Sequence, residues 1–330
     1  MTVAGTACRM FACRMLVLAL SCFSAGVLSC SSVLAAETLR VGKSTLTSFS
    51  YTLLEVGIET GIFARHGLTI ESSAFGGGPR LIQGMTAGAI DIGLDGGTDM
   101  ALIVKGAPMK GIAPLSGQPT EMVISVKAGG PVKTVADLKG RKIAITGAGT
   151  LTGWVTRELV KSQGWSDSDV TYVTSSNIAA SRALLKVGEI DAMTTDMSTT
   201  LEQQRKGEER LLFSYGDLVK DFHMQIIFAT DKVIAEKPEA VRAFLAGWLE
   251  TIGFVKANKA KTVEILRQVL GFHPDVLNET YDRVVASYST DGKFNPRALA
   301  VLARSYVELK LLDKEPDMTR LYTEEFLPKK

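Results

Sequence analysis

Short apolar strands alternate with amphipathic helices over the middle of this 330-residue chain, and that alternation limits the fold more than any other feature. Strands are predicted at 39–41, 68–71, 90–94, 109–113, 142–146, 170–173, 190–193 and 211–213. Amphipathic runs lie between them at 51–60, 80–87, 154–162 and 179–187. Strand–helix–strand order places parallel sheets under helices. From about Asp231 the pattern becomes helical, with runs predicted at 238–256, 261–270, 276–287 and 296–311. Pro238 and Pro296 head two of these, where a first turn tolerates proline. Phe244, Leu245 and Trp248 fall at helical spacing and read as core.

The sequence also echoes itself. Gly88-Ala89-Ile90-Asp91 follows one amphipathic run and Gly188-Glu189-Ile190-Asp191 follows another. A glycine that ends a helix in the left-handed conformation explains each copy alone. Two copies at matching places suggest two similar lobes. Extended segments at 115–126 and 221–230 read as hinge strands. They define a first lobe of residues 37–118 and 226–330 and a second of 119–225. A chain that leaves a lobe and returns gives two connections, which permit closure without unfolding either lobe.

Open parallel sheets bind ligands beyond the C-terminal ends of their strands. The candidate ligand-binding residues are therefore Ser44, Thr45 and Phe49, then Phe75, Gly76 and Gly77, then Gly97 and Thr98. On the second lobe they are Gly149, Thr150, Thr152, Asn177 and Asp196. These loops are rich in Gly, Ser and Thr, and each precedes a helix whose free N–H groups and positive dipole end face the cleft. Ordinary helix capping explains any one of them; their recurrence at one sheet edge in both lobes favours binding. Phe49, Phe75 and Trp154 offer ring faces, though core packing explains each equally well. The expected ligand is small and either anionic or a polar heteroaromatic: sulfonate-, carboxylate-, nitrate- or pyrimidine-like.

Catalytic signals are weak. Residues 147–153 approach a dinucleotide fingerprint, but the third glycine is displaced by one and the next strand runs into Thr174-Ser175-Ser176 instead of a ribose-binding carboxylate. Gly42-Lys43-Ser44 imitates the end of a phosphate loop, yet the required earlier glycine would fall at Glu37. His66, His223 and His273 show no paired ligand spacing. His66 reads as a solvated turn residue and His223 as a structural hydrogen-bonding group near the hinge. No Gly-x-Ser-x-Gly elbow occurs. Asp95, Asp99 and Asp196 lie in candidate loops, but a sequence does not give their separation, so an acid–base pair is unsupported. No cofactor, metal or catalytic residue is expected.

Residues 1–36 read as an export leader. They carry Arg9 and Arg14, no acid, an apolar core from Met15 to Leu28, and small residues before Glu37. Cleavage near Ala35 or Ala36 is the preferred reading. Val27-Leu28-Ser29-Cys30 loosely resembles a lipobox, which leaves a lipid anchor on Cys30 as the alternative. All four cysteines lie in the leader, so the mature chain has no disulfide or thiol chemistry. The remaining residues balance at 35 basic and 35 acidic, with no basic face for nucleic acid.

Gly61-Ile62-Phe63-Ala64-Arg65-His66-Gly67-Leu68 resembles the G-x-F-x-x-x-G-L turn of the nitrate/sulfonate/taurine-type periplasmic binding proteins, a group that includes thiamine-precursor binders. Phe75-Gly76-Gly77-Gly78, the Gly88–Asp91 motif, Asp137-Leu138-Lys139-Gly140-Arg141-Lys142-Ile143 and the Gly188–Asp191 motif follow in that family's order. The resemblance implies a type II periplasmic-binding fold of two α/β lobes on a two-strand hinge. It further implies delivery of a small molecule to an ABC importer permease, with membrane contact only through the transporter or the lipid anchor. Fungal pyrimidine synthases of this fold use a cysteine-rich motif that the mature chain lacks, which speaks against an enzyme. An enzyme or a ligand sensor on the same lobes is the alternative.

Overall fold

Hydrogen bonding sorts the apolar runs into two five-stranded sheets. The strands are β1 (Glu37–Lys43), β2 (Leu68–Ala74), β3 (Ile92–Gly96), β4 (Met109–Pro114), β5 (Met122–Lys127), β6 (Lys142–Ile145), β7 (Thr171–Thr174), β8 (Ala192–Asp196), β9 (Glu209–Ser214) and β10 (Gln225–Thr230). One sheet has the order β2-β1-β3-β10-β4 and the other β7-β6-β8-β5-β9. The computed structural model describes residues 36–175 and 177–329. The expected leader, its cysteines and both cleavage routes fall outside the described residues except at Ala36, and Ser176 is likewise outside them. The described residues form one compact unit.

The two sheets repeat one plan. In each, an inserted strand runs antiparallel to its neighbours: β10 between β3 and β4, and β5 between β8 and β9. Each inserted strand also carries a register shift against its edge neighbour, at Ile227/Phe228 and at Ile124/Ser125. Here the structure narrows the hinge segments. The second halves of 115–126 and 221–230 are strands bonded on both edges, so they read as continuous apolar runs. The passages between sheets are only 115–121 and 215–224, and each inserted strand belongs to the sheet it enters.

The Gly-x-Ile-Asp echo has a reason beyond helix termination. Gly88 and Gly188 both adopt left-handed backbone, with φ of 72° and 81°. Asp91 Oδ2 then accepts the Arg40 backbone N–H at 3.0 Å, and the Arg40 guanidinium donates to both carboxylate oxygens. Asp191 Oδ2 accepts the Lys142 backbone N–H at 2.9 Å, with Arg141 Nη1 3.4 Å from Oδ1. Asp91 fastens β1, and Asp191 fastens β6, which holds the matching place in the other sheet.

Apolar packing continues from sheet to sheet. One cluster joins Leu39 and Phe49 to Val123, Met197 and Leu201; another joins Leu81 and Met100 to Ile124, Trp154 and Phe222. Helix Pro238–Ala257 begins at its proline and buries Val241, Phe244, Leu245, Trp248 and Ile252 along one stripe. Helix Pro296–Glu308, expected to belong to the first lobe, reaches both sheets. Tyr306 donates to the Gly97 carbonyl at 3.1 Å, and Glu308 accepts from Trp154 Nε1 at 2.8 Å and from Lys161 at 2.9 Å. Among the described residues no helix is long and apolar enough to cross a membrane.

Candidate functional site

The loops after β1, β2 and β3 converge because their backbones bond to one another. The Ser44 N–H donates to the Leu94 carbonyl, Phe75 N–H to Lys43, and Gly77 N–H to the Ser44 carbonyl at 2.8 Å. Gly77 has φ of 129°, a conformation that excludes most side chains, and it leads into helix Gly78–Thr86. A methyl group on Gly78 would lie 2.8 Å from Asp95 Oδ2 and 3.0 Å from Asp99 Oδ2. Two carboxylates therefore converge on the start of this helix, with Ser44 and Tyr51 beside them.

Asp95 is buried. Its Oδ1 accepts the Gly96 N–H at 2.8 Å, while Oδ2 has no hydrogen-bond partner. Burial pushes Asp95 up to about 6. Burial, and then the charge of Asp95, hold half-buried Asp99 well above the usual carboxylate range. Both shifts favour a bound proton on the pair. Thr98 is buried beside them, and Gly97 packs directly on the His223 carbonyl, 2.0 Å from where a Cβ would stand.

A third carboxylate marks the crossover. Glu121, immediately before β5, is 4 % exposed. It accepts the Phe49 N–H at 2.6 Å, Ser48 Oγ at 3.2 Å, Gln225 Nε2 at 3.1 Å, and the Ser50 hydroxyl. Ser50 also meets Tyr288 Oη at 3.1 Å. Burial raises the Glu121 pKa against the pull of these donors. The two passages are bonded to each other, Phe222 N–H to the Gly117 carbonyl and Leu115 N–H to that of Gln225. His223 sits between them. Its Nε2 accepts the Asn295 N–H at 2.9 Å, and burial lowers its pKa to about 4, so the ring is neutral and structural.

On the second sheet the predicted residues bond locally. Thr146, Thr150 and Thr152 form a ring of hydroxyls 2.9–3.2 Å apart, and Thr150 caps helix Leu151–Ser162. Gly149 faces Leu311 beyond the last long helix. Asn177 caps helix Ile178–Val187 by accepting the Ala180 N–H at 2.9 Å. Asp196 caps helix Met197–Arg205, accepting from Thr199 N–H at 2.9 Å and Thr199 Oγ1 at 2.6 Å, while burial raises its pKa.

Ser44, Gly76, Gly77, Gly97 and Thr98 thus lie on converging loops of one sheet, and Thr45 is on the half-exposed rim. Phe49 departs from the expected ring face. Its ring is fully buried in the core, and only its backbone N–H reaches the polar network. Trp154 is likewise buried, stacked on Phe222 at 4.4 Å. Phe75 is half-buried and packs over Gly42 and Gly84. His66, expected to be solvated, lies 2.8 Å from Glu250 through Nε2, because the turn folds against helix Pro238–Ala257. Sequence reasoning missed Glu121, Ser48, Ser50, Gln225 and Tyr288. Their only signal was a carboxylate, Glu121, opening an apolar run. Among the described residues no three His, Cys, Asp or Glu side chains are grouped to hold a metal. A surface cavity of about 460 Å³ between helices Met197–Arg205 and Lys259–Leu270 is lined by none of the predicted residues.

Two sheets of one plan, crossed twice by the chain, define the periplasmic-binding-protein fold. The alkanesulfonate-binding protein SsuA of Xanthomonas axonopodis pv. citri, solved bound to MOPS, superposes with a TM-score of 0.72 over 88% of this chain and 99% of that one, at 22% identity. The chain belongs to the NMT1/THI5-like family, whose model matches residues 48–261. A protein of Brucella abortus (strain 2308) named only as a binding protein is 26% identical over 217 residues, 65% of this chain. A protein of Escherichia coli (strain K12) that carries the name of an aliphatic sulfonates-binding protein is 26% identical over 212 residues, 63% of this chain. The chain spans 66% and 64% of the length of these two relatives.

Proposed function

We propose that this chain is an exported receptor that traps a small polar solute between two lobes and passes it to an ABC importer. The observation that carries this reading is the convergence of the loops after β1, β2 and β3 beside the two interlobe passages. Sheets joined by two short bonded passages can close on a solute that contacts both, provided the closed form binds it better. The names of the similar sulfonate-binding proteins support a transport role, as does the expected leader. The Ser48 and Ser50 donors that would suit an anion already serve Glu121, and the carboxylates of Asp95 and Asp99 lie at the start of helix Gly78–Thr86. This weighting favours a polar heteroaromatic or another donor-bearing solute over a bare oxyanion.

The test is a thermal-shift screen of the full chain against sulfonates, carboxylates, nitrate and pyrimidines, followed by small-angle scattering with each compound that stabilises. Stabilisation together with compaction is expected. Stabilisation by sugars or oligopeptides alone would exclude this solute class, and binding without compaction would exclude the clamp.

A further inference from the structure

The carboxylate pair at the start of helix Gly78–Thr86 specifies what the solute must carry. We propose that Asp95 and Asp99 receive a positively charged nitrogen of the bound solute, so that the ligand is an organic ammonium or amidinium, zwitterions included. This rests on the receptor reading above and narrows its ligand.

Four observations support it. First, Asp95 is 3 % exposed and its Oδ2 has no well-formed hydrogen bond, although the Ser44 hydroxyl and Asp99 stand beside the carboxyl. A buried acceptor left unpaired is costly, and a ligand N–H would satisfy it. Second, among the described residues no Lys or Arg forms an ion pair with Asp95, Asp99 or Glu121, although ion pairs are frequent elsewhere in the chain. Third, Oδ2 of each aspartate lies within 3.0 Å of the same point above Gly78. An incoming anion would meet that negative pair at the helix end otherwise suited to hold it. Fourth, the pair adjoins accessible surface: Asp99 is half-buried and Gly76 exposed, and Leu46, on the loop after β1, is 56 % exposed.

The chemistry is a proton exchanged for a cation. Without ligand, burial and the close approach of the two carboxyls favour a bound proton on the pair. An ammonium or amidinium brings N–H donors and a positive charge, so the pair can release that proton to solvent and ionise around the ligand. A metal ion fits less well. Hard cations such as calcium take six to eight oxygens, and no group of three acidic or histidine ligands is assembled among the described residues.

The experiment uses sets of compounds that differ chiefly in charge: benzamidinium, benzamide and benzoate, and 2-aminoethanesulfonate against ethanesulfonate. Binding to the full chain is measured by titration calorimetry. In at least one set the member bearing positive nitrogen should bind tenfold or more tightly than its anionic counterpart. Asp95→Asn and Asp99→Asn should each weaken that member tenfold or more while leaving the circular dichroism unchanged. Asp95→Asn retains an acceptor for the Gly96 N–H, so it separates loss of charge from loss of fold. Stronger binding of the anionic members overturns the proposal and leaves the receptor reading standing, as does cation binding that survives both substitutions. Absence of binding by every positively charged probe also overturns it. Stabilisation by calcium that EDTA removes overturns it in favour of a metal.

Discussion

Gln225 Nε2 donates to Glu121 Oε2 across 3.1 Å, and this bond ties the two places where the chain passes between its sheets. Glu121 ends the outgoing passage and Gln225 opens β10 on the return. The same carboxylate accepts from Ser48, Phe49 and Ser50. Glu121→Ala leaves these donors without their acceptor in a buried site. The expected loss is about 1–3 kcal/mol, the cost of stranding buried polar groups. Urea denaturation measures it, and an unchanged midpoint would show that the network contributes no stability.

The Asp95–Asp99 pair sets a pH dependence. Burial raises Asp95 to about 6, and burial with the Asp95 charge raises Asp99 further. A carboxyl with a raised folded-state pKa binds more protons folded than unfolded. Its contribution to stability therefore falls as pH rises from about 4 through 6 and above. Asp99→Asn removes one partner and relieves the other. Its melting temperature should exceed the parent's at pH 7, by a stability on the order of 1–3 kcal/mol, and the difference should shrink towards pH 4. A constant difference across that range would contradict the assignment.

Gly78 is held to glycine by these carboxylates. In Gly78→Ala the methyl group would stand 2.8 Å from Asp95 Oδ2 and 3.0 Å from Asp99 Oδ2. Forced displacement of packed groups costs about 1–3 kcal/mol. Thermal melting should fall accordingly, and less so in a Gly78→Ala/Asp99→Asn double variant measured against Asp99→Asn alone.

Asp91 and Asp191 occupy matching positions with different partners. Asp91 holds the Arg40 backbone and guanidinium, and these bonds outweigh its burial to lower its pKa. That stability is present at neutral pH and lost as pH falls below the ordinary carboxylate value of about 4. Asp191 is more exposed, with Arg141 at 3.4 Å. Asp91→Ala should cost about 1.5–3 kcal/mol and Asp191→Ala about 0.5–1.5 kcal/mol. Chemical denaturation of the two variants side by side would show the order, and equal losses would refute it.

Thr150 is a helix cap within a ring of threonines, so Thr150→Val should cost about 1 kcal/mol whether or not ligand is present. Thr150→Ser should restore most of it. Ligand affinity that falls in Thr150→Val and recovers in Thr150→Ser would add binding to its role. Affinity unchanged in both would leave it a cap.

Periodicity and helix-end chemistry determined a good deal by themselves. The strand–helix alternation located eight of the ten strands, because a strand under helices shows as a short apolar run wherever it pairs. The Gly-x-Ile-Asp echo revealed two similar units, since left-handed glycine and a strand-fastening aspartate are both local requirements. The loops after β1 to β3 could be named for the same reason: a strand's C-terminal end is visible in sequence. Tertiary structure alone decided where 122–127 and 225–230 pair, because an antiparallel insertion depends on partners distant in the chain. It also decided that Phe49 and Trp154 are core, since an aromatic ring's exposure depends on what covers it. Above all it buried Asp95 and Glu121 and set half-buried Asp99 beside Asp95, all without cationic partners. Charge counted along a sequence balances to near zero, but the electrostatics of a site depend on which charges the fold places together and which it leaves unanswered.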